Sequence, residues 1–413
     1  MRSSGGLRPA ATAEHADTSR RSEARMPRST ASVIPFGLTE EQQELFAMCR
    51  TFADEELAPH ALDWDADGHF PVDAIRRTAE LGMGGIYIDE EYGGAGLGRM
   101  DAVLVFEALS TGCPAISSYI SIHNMVAKCL ELFASEEQKQ RWLVPMASFE
   151  ALTSYCLTEP NAGSDAAALK TSARRDGDGY ILNGVKQFIS GAGSSDLYLV
   201  MARTGQDGAR GISAFIVEDG TEGLSFGPNE KKMGWKAQPT RQVFMENVRV
   251  PLENRIGDEG TGFRIAMSGL DGGRLNIGAS SLGGAQSALE KAITYMGERQ
   301  AFGQDLTGFQ ALRFEVADLQ TKLEAARSLL WRAASAYDAD DPSTTLLSAM
   351  GKLTATDTGF DVANRALQLF GGYGYLAEYG VEKLVRDLRV HQILEGTNEI
   401  MRVIISRRST GVG

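Results

Sequence analysis

The chain is short of the residues that staple or metallate a fold. Four cysteines (Cys49, Cys113, Cys129, Cys156) are scattered through 413 residues with no C-x-x-C pair. That spacing argues against a disulfide framework or a cysteine metal site, and reads as buried thiols in a reducing compartment. The five histidines (His15, His60, His69, His123, His391) show no ligand spacing and read as core or surface residues. No run reaches the roughly 18 apolar residues that a membrane-spanning helix needs. Positive charge is also in deficit. A net charge of −13 disfavours nucleic acid and anionic membrane surfaces, so basic contacts to an anionic ligand must be local.

What is present is a chain long enough for two or three domains, with 43% apolar residues and no repeat of fixed period. Residues 1–35, rich in Arg, Ser, Ala and Pro, read as a disordered extension. They suit either a presequence, with Glu14, Asp17 and Glu23 against it, or an over-long start with Met26 as the true one. Residues 36–151 carry helical periodicity, with capping boxes at Thr39/Gln42 and Ser135/Gln138. The EYGGAGLG run within them fails a dinucleotide fingerprint, because Arg99 stands where a third small residue is needed; it reads as a loop between helices. Residues 152–258 change to short β-type runs separated by turn clusters, which predicts an antiparallel barrel or sandwich. Residues 259–413 return to helices, roughly 260–300, 307–337, 344–370 and 378–390, predicting a four-helix bundle. The fold class is therefore α+β.

Six stretches could carry chemistry. HQILEGTNEI places Glu395 before Gly396 and Thr397, a carboxylate beside a flexible step; a solvated surface glutamate is the plain alternative. Upstream, FGGYGY offers a turn where backbone can approach a phosphate. TEPNAGSD, from Thr158, is either a loop of turn formers or a source of N–H groups and hydroxyls for a ring ligand. KQFIS, ending at Ser190, suits core packing or the face of a flat cofactor. LDGGR holds Asp271 and Arg274, a surface ion pair or an anion site. RQAFG puts Arg299 at a helix end, where it either meets the helix dipole or binds a phosphate or adenine.

Taken together and in order, YCLTEPNAGSD, FIS, ERQAFG, QLFGGYGY, VRDLRV and ILEGTNEI resemble the acyl-CoA dehydrogenases over about residues 38–410. SYISIHNMVA, GWKAQPTR, LDGGR and RVHQILEGTNEIMRVIISR bring the resemblance nearest to the branch acting on isobutyryl-CoA. The resemblance implies non-covalent FAD, an acyl-CoA substrate oxidised between its α and β carbons, electrons passed to electron-transfer flavoprotein, and a homotetramer. It also implies bacterial cytoplasm or the mitochondrial matrix.

Residue by residue, the resemblance assigns Tyr155, Leu157, Thr158, Gly163 and Ser164 to the flavin, with Ser164 also on the acyl-CoA. Phe188, Ile189 and Ser190 would pack on the isoalloxazine; many relatives carry tryptophan at the first of these. Arg299, Phe309, Gln310, Gln368, Leu369, Gly371 and Gly372 would bind FAD across a subunit boundary, and Thr397, Asn398 and Glu399 would close on it. Asp271, Gly272, Gly273, Arg274, Gly396 and Arg407 would contact the CoA ester. Glu395 stands at the family's base position. In isovaleryl-type relatives the base comes instead from the position of Gly273, which glycine cannot serve.

Overall fold

Thr39 starts the first helix: its hydroxyl accepts from Gln42 N at 3.2 Å, and the Gln42 side chain answers on Thr39 N at 3.2 Å. The same reciprocal cap at Ser135 and Gln138 opens a later helix, so both boxes read from sequence are present. The computed structural model describes residues 37–411, almost all in one compact unit that begins at Leu38. The readings made of residues 1–35 lie outside the described residues.

The N-terminal region is helical: α1 (Glu40–Phe52), α2 (Ala61–Asp67), α3 (Val72–Arg77), α4 (Arg99–Gly112), α5 (Pro114–Phe133) and α6 (Glu136–Ala147). EYGGAGLG forms the loop leading into α4, as expected. Gly94 there presses so closely on the main chain of Ile88 that no Cβ fits.

The middle region is one eight-stranded sheet built from β1 (Thr153–Cys156), β2 (Ser172–Asp176), β3 (Gly179–Ser190), β4 (Leu197–Arg203), β5 (Ile212–Glu218), β6 (Leu224–Phe226), β7 (Thr240–Pro251) and β8 (Arg255–Ile256). Its path is β6-β7-β3-β2-β4-β5-β8, mostly antiparallel, with β1 and β2 each parallel to β4. β4 and β5 are buried on both faces, which is why they read as unbroken apolar runs. Leu197, Leu199 and Met201 face a core shared with α5, α6 and the helix that follows the sheet. Tyr198, Val200 and Ala202 face a second core made with β3 and β7.

The C-terminal region is ordered around α7 (Gly262–Glu298), 37 residues and about 55 Å long. Small residues let neighbours approach it closely. Gly283 lies against the main chain of Glu107 on α4, and Gly359 of α9 (Thr344–Leu369) lies against Ser281. After α7 come the two-residue strands β9 (Gln300–Ala301) and β10 (Gln304–Asp305), then α8 (Gln310–Asp338). Arg327 of α8 and Glu107 of α4 pair at 2.7 Å, both buried.

Two details correct the bundle expectation. The fourth helix, α10 (Val381–Arg389), spans nine residues, and a further helix, α11 (Asn398–Thr410), follows it. The chain turns sharply between them at HQILEG, which interrupts the apolar period. Thr397, accepting from Ile400 N at 3.3 Å, starts the helix again.

Candidate active site

Glu395 and Gly396 form the turn between α10 and α11, and both lie in the left-handed region (φ +55° and +85°). For glutamate this conformation costs roughly 1–2 kcal/mol, so surrounding contacts must enforce it. They do so from both sides. Upstream, buried His391 accepts from Trp235 Nε1–H at 3.1 Å and its Nδ1 meets Ser281 Oγ at 2.7 Å. Acceptance at Nε2 leaves the proton on Nδ1 and makes Ser281 the acceptor, which in turn donates to Ile277 O. Burial pulls the His391 pKa down to about 3, so the ring is neutral. Downstream, Lys352 of α9 donates to Gly396 O at 2.9 Å and to Asn398 Oδ1 at 2.8 Å. Asn398 Nδ2 donates to Asp357 Oδ1 at 2.7 Å, and Gln392 Nε2 reaches the same oxygen at 2.7 Å.

The turn aims the carboxylate at α7. A Cβ built on Gly273 would stand 2.7 Å from Glu395 Oε2, so glycine is what leaves room for the carboxylate. Oε2 is shut from solvent and accepts no hydrogen bond. Burial pushes the Glu395 pKa up from 4.5 to about 7; the charges of Arg274 and Lys352 hold it back. Tyr155 on β1 and the thiol of Cys129 on α5 are close enough to feel its charge. Arg274 is 6% exposed and pairs with Asp271, which removes the reading of LDGGR as a surface ion pair. A carboxylate that exchanges its proton near neutrality, half-buried and with an unpartnered oxygen shut from solvent, has the properties of a general base.

Tyr155 donates from its hydroxyl to Ala266 O of α7 at 3.2 Å, linking β1 to the helix that bears Gly273. The loop after β1 is locked to the end of β3. Gln187 N donates to Thr158 O at 2.8 Å, and buried Lys186 donates to Leu157 O and to Glu159 Oε1 at 3.1 and 2.8 Å. Leu157 is buried, Thr158 half-buried, and Gly163 and Ser164 exposed. Phe188, held at φ +59°, is 64% exposed, an unusual state for a phenylalanine braced by buried neighbours. Ile189 corrects the expectation: it is 2% exposed and packs in the second sheet core, because neighbours on a strand face opposite ways. It offers a ligand only its main chain. Ser190 is half-buried, and its carbonyl accepts from Ser154 Oγ at 2.7 Å.

The remaining expected residues gather elsewhere. Arg299, Gln368, Leu369, Gly371 and Gly372 line one cleft of about 720 Å³ with Tyr295, at the far end of α7. The Arg299 guanidinium lies 5.4 Å from the Tyr373 ring centre, and a Cβ on Gly371 or Gly372 would meet nothing within 4 Å. The β9–β10 hairpin beside it presents Phe302, 96% exposed, edge-on to Phe309, which precedes Gln310 at the start of α8. Arg299 follows Gly273 by 26 residues of α7, about 39 Å at 1.5 Å per residue. The chain thus brings Glu395, Gly273, Arg274 and Tyr155 together, and keeps the Arg299 cleft away from them.

The C-terminal segment holds the remaining residues. Asn398 is buried, with its amide spent on Lys352, Thr356 and Asp357, so its side chain is not available to a cofactor. The Thr397 hydroxyl caps α11, while Glu399 is exposed in its first turn. Arg407 is exposed and its side chain takes no partner among the described residues; it is Arg408 whose charge reaches Asp271. Lys352 and the Trp235–His391–Ser281 chain were missed. Nothing in a lysine 43 residues before Glu395 signals that they meet.

Models of the acyl-CoA dehydrogenase N-terminal, middle and C-terminal domains match residues 39–150, 154–248 and 260–410. The chain is 52% identical over 371 residues to the mitochondrial isobutyryl-CoA dehydrogenase of Bos taurus, covering 90% of this chain and 89% of that protein. It resembles the solved butyryl-CoA dehydrogenase of Megasphaera elsdenii at a TM-score of 0.88 and 38% identity, covering 91% of this chain and 99% of that one. It also resembles the FAD complex of PigA, at a TM-score of 0.87 and 29% identity, covering 92% and 100%.

Proposed function

The chain belongs to the acyl-CoA dehydrogenase family, oxidoreductases acting on CH–CH groups, and from that premise we propose that it oxidises isobutyryl-CoA to methacrylyl-CoA, with FAD as cofactor and Glu395 as the base. The observation that carries the mechanism is the Glu395 carboxylate: half-buried, with Oε2 shut from solvent and unpartnered, its pKa raised to about 7, and seated against a glycine. Glu395 takes the α proton of the thioester. Its backbone N–H is the donor at hand for the oxygen on which charge develops. Arg274 and Lys352 keep enough of the carboxylate ionised at neutral pH to act. Gly273 leaves the acyl chain and the base the same space.

The residues fit FAD. Exposed Phe188 offers a face to a flat ring, with Thr158 and Ser190 beside it, and Arg299 with the open Gly371–Gly372 turn suits a pyrophosphate or adenine. When bound, FAD supplies the acceptor for the hydride leaving the β carbon. The Gly273 wall and the Arg299 cleft stand about 39 Å apart along α7, which favours two chains sharing one FAD. The Arg299 side would then come from a second copy, and the homotetramer itself rests on the family. Electron-transfer flavoprotein is the proposed acceptor, in line with the family.

The acyl chain is the finer part of the proposal. It rests on the similarity to isobutyryl-CoA dehydrogenase, and pockets separate neighbouring chain lengths by only about 1–3 kcal/mol. The test is anaerobic bleaching of the flavin band of FAD-loaded protein by isobutyryl-, 2-methylbutyryl-, isovaleryl-, butyryl- and octanoyl-CoA. Fastest reduction by isobutyryl-CoA is expected. Fastest reduction by butyryl-CoA would move the substrate and keep the base. Rapid reoxidation in air without an added acceptor would replace the dehydrogenase reading by an oxidase.

A further inference from the structure

Lys352 sits inside α9 with its side chain buried, where an apolar residue would pack at lower cost. Its ammonium forms no ion pair within bonding distance among the described residues. The acceptors it does find, Gly396 O and Asn398 Oδ1, flank Thr397 in the segment that follows Glu395. The lysine therefore reaches from the bundle to the far side of the left-handed turn. The rest of the clamp points the same way: Asn398 and Gln392 both donate to Asp357, one turn beyond Lys352 on α9. Glu395 is the first charge acting on Lys352, ahead of Asp357, while burial pulls the lysine pKa down to about 8.

We propose that Lys352 is the positioning residue of the base, its two hydrogen bonds fixing the Glu395–Gly396 turn and its charge favouring the ionised carboxylate. This rests on the reading of Glu395 as the base. The groups that face the carboxylate are Arg274 from α7, Lys352 from α9, Cys129 from α5 and Tyr155 from β1. Only the two cations oppose its protonation. Removing one of them moves the pH at which Glu395 can accept a proton upward. Freeing the turn also lets the carboxylate leave its place against Gly273.

The test is Lys352→Met in the FAD-loaded protein, measuring anaerobic flavin reduction by isobutyryl-CoA from pH 6 to 9, with FAD content and melting temperature alongside. The expected result is retained FAD, reduction slower by about ten- to a hundredfold, and a rising limb displaced to higher pH. Lys352→Arg keeps the charge; its limb stays near that of the wild type and part of the rate returns. A variant that loses melting temperature while rate and limb stay put overturns the proposal. Where Lys352→Met does not fold, Asn398→Ala carries the test. It removes one acceptor and should slow reduction with the limb unmoved, and a wild-type rate overturns the proposal. Glu395→Gln run in parallel separates the two readings. If it still bleaches, the base assignment fails. If it is inactive while Lys352→Met matches the wild type, only the role of Lys352 fails.

Discussion

Replacing Glu395 by glutamine tests the chemistry and the electrostatics in one protein. The folded state holds the Glu395 proton to about pH 7, against 4.5 for the ordinary group. A pKa raised by folding contributes stability that is complete below about pH 4.5 and is lost as pH rises through about 7. Above that range the buried carboxylate costs on the order of 3 kcal/mol relative to its protonated form. Glutamine carries no such charge. The variant should therefore melt above the wild type at pH 8–9, by about 4 °C if entropy of unfolding scales with chain length, and the gap should shrink toward pH 5. In the same protein, flavin reduction by isobutyryl-CoA should fall by about 10²–10⁴, the usual share of a general base. Melting curves at five pH values and single-turnover bleaching supply both readouts. A melting difference that does not change between pH 5 and 9 would refute the raised pKa. Undiminished bleaching would refute the base.

Other expectations follow from the same geometry. Wild-type flavin reduction by free enzyme should rise with pH through about 7, the range in which Glu395 ionises. Gly273→Ala places a methyl 2.7 Å from Glu395 Oε2 and should cut reduction at least about tenfold while FAD content is unchanged; equal rates would mean that the carboxylate sits elsewhere in the working enzyme. Arg299→Ala should weaken FAD retention on dilution by about tenfold or more, read as loss of flavin on gel filtration, with the Glu395 pH limb unmoved. If retention is unaltered, the cleft at the end of α7 is not part of the flavin site.

The fold was largely legible in the sequence because each region repeats one period. The caps at Thr39 and Ser135 announced their helices, and the change to short apolar runs marked the sheet. The short α10 and the separate α11 were not legible, since the apolar period breaks at a turn whose conformation depends on contacts from α7 and α9. Glu395, Gly273 and Arg274 were singled out by motif. Their proximity was not, because residues 122 apart meet only when the bundle closes.

The sequence by itself determined the α–β–α order, the scarcity of metal and disulfide ligands, and the ILEGTNEI motif that singles out Glu395. Tertiary structure alone decided what that carboxylate is. Burial against Gly273 raises its proton affinity, and Lys352 and His391, remote or silent in sequence, hold a glutamate in a left-handed turn it would not adopt unaided. It also decided that Ile189 and Asn398 serve the core, because strand alternation and a buried amide network turn their side chains inward. Proton affinity and backbone strain belong to the surroundings of a residue, and those surroundings exist only once the chain has folded.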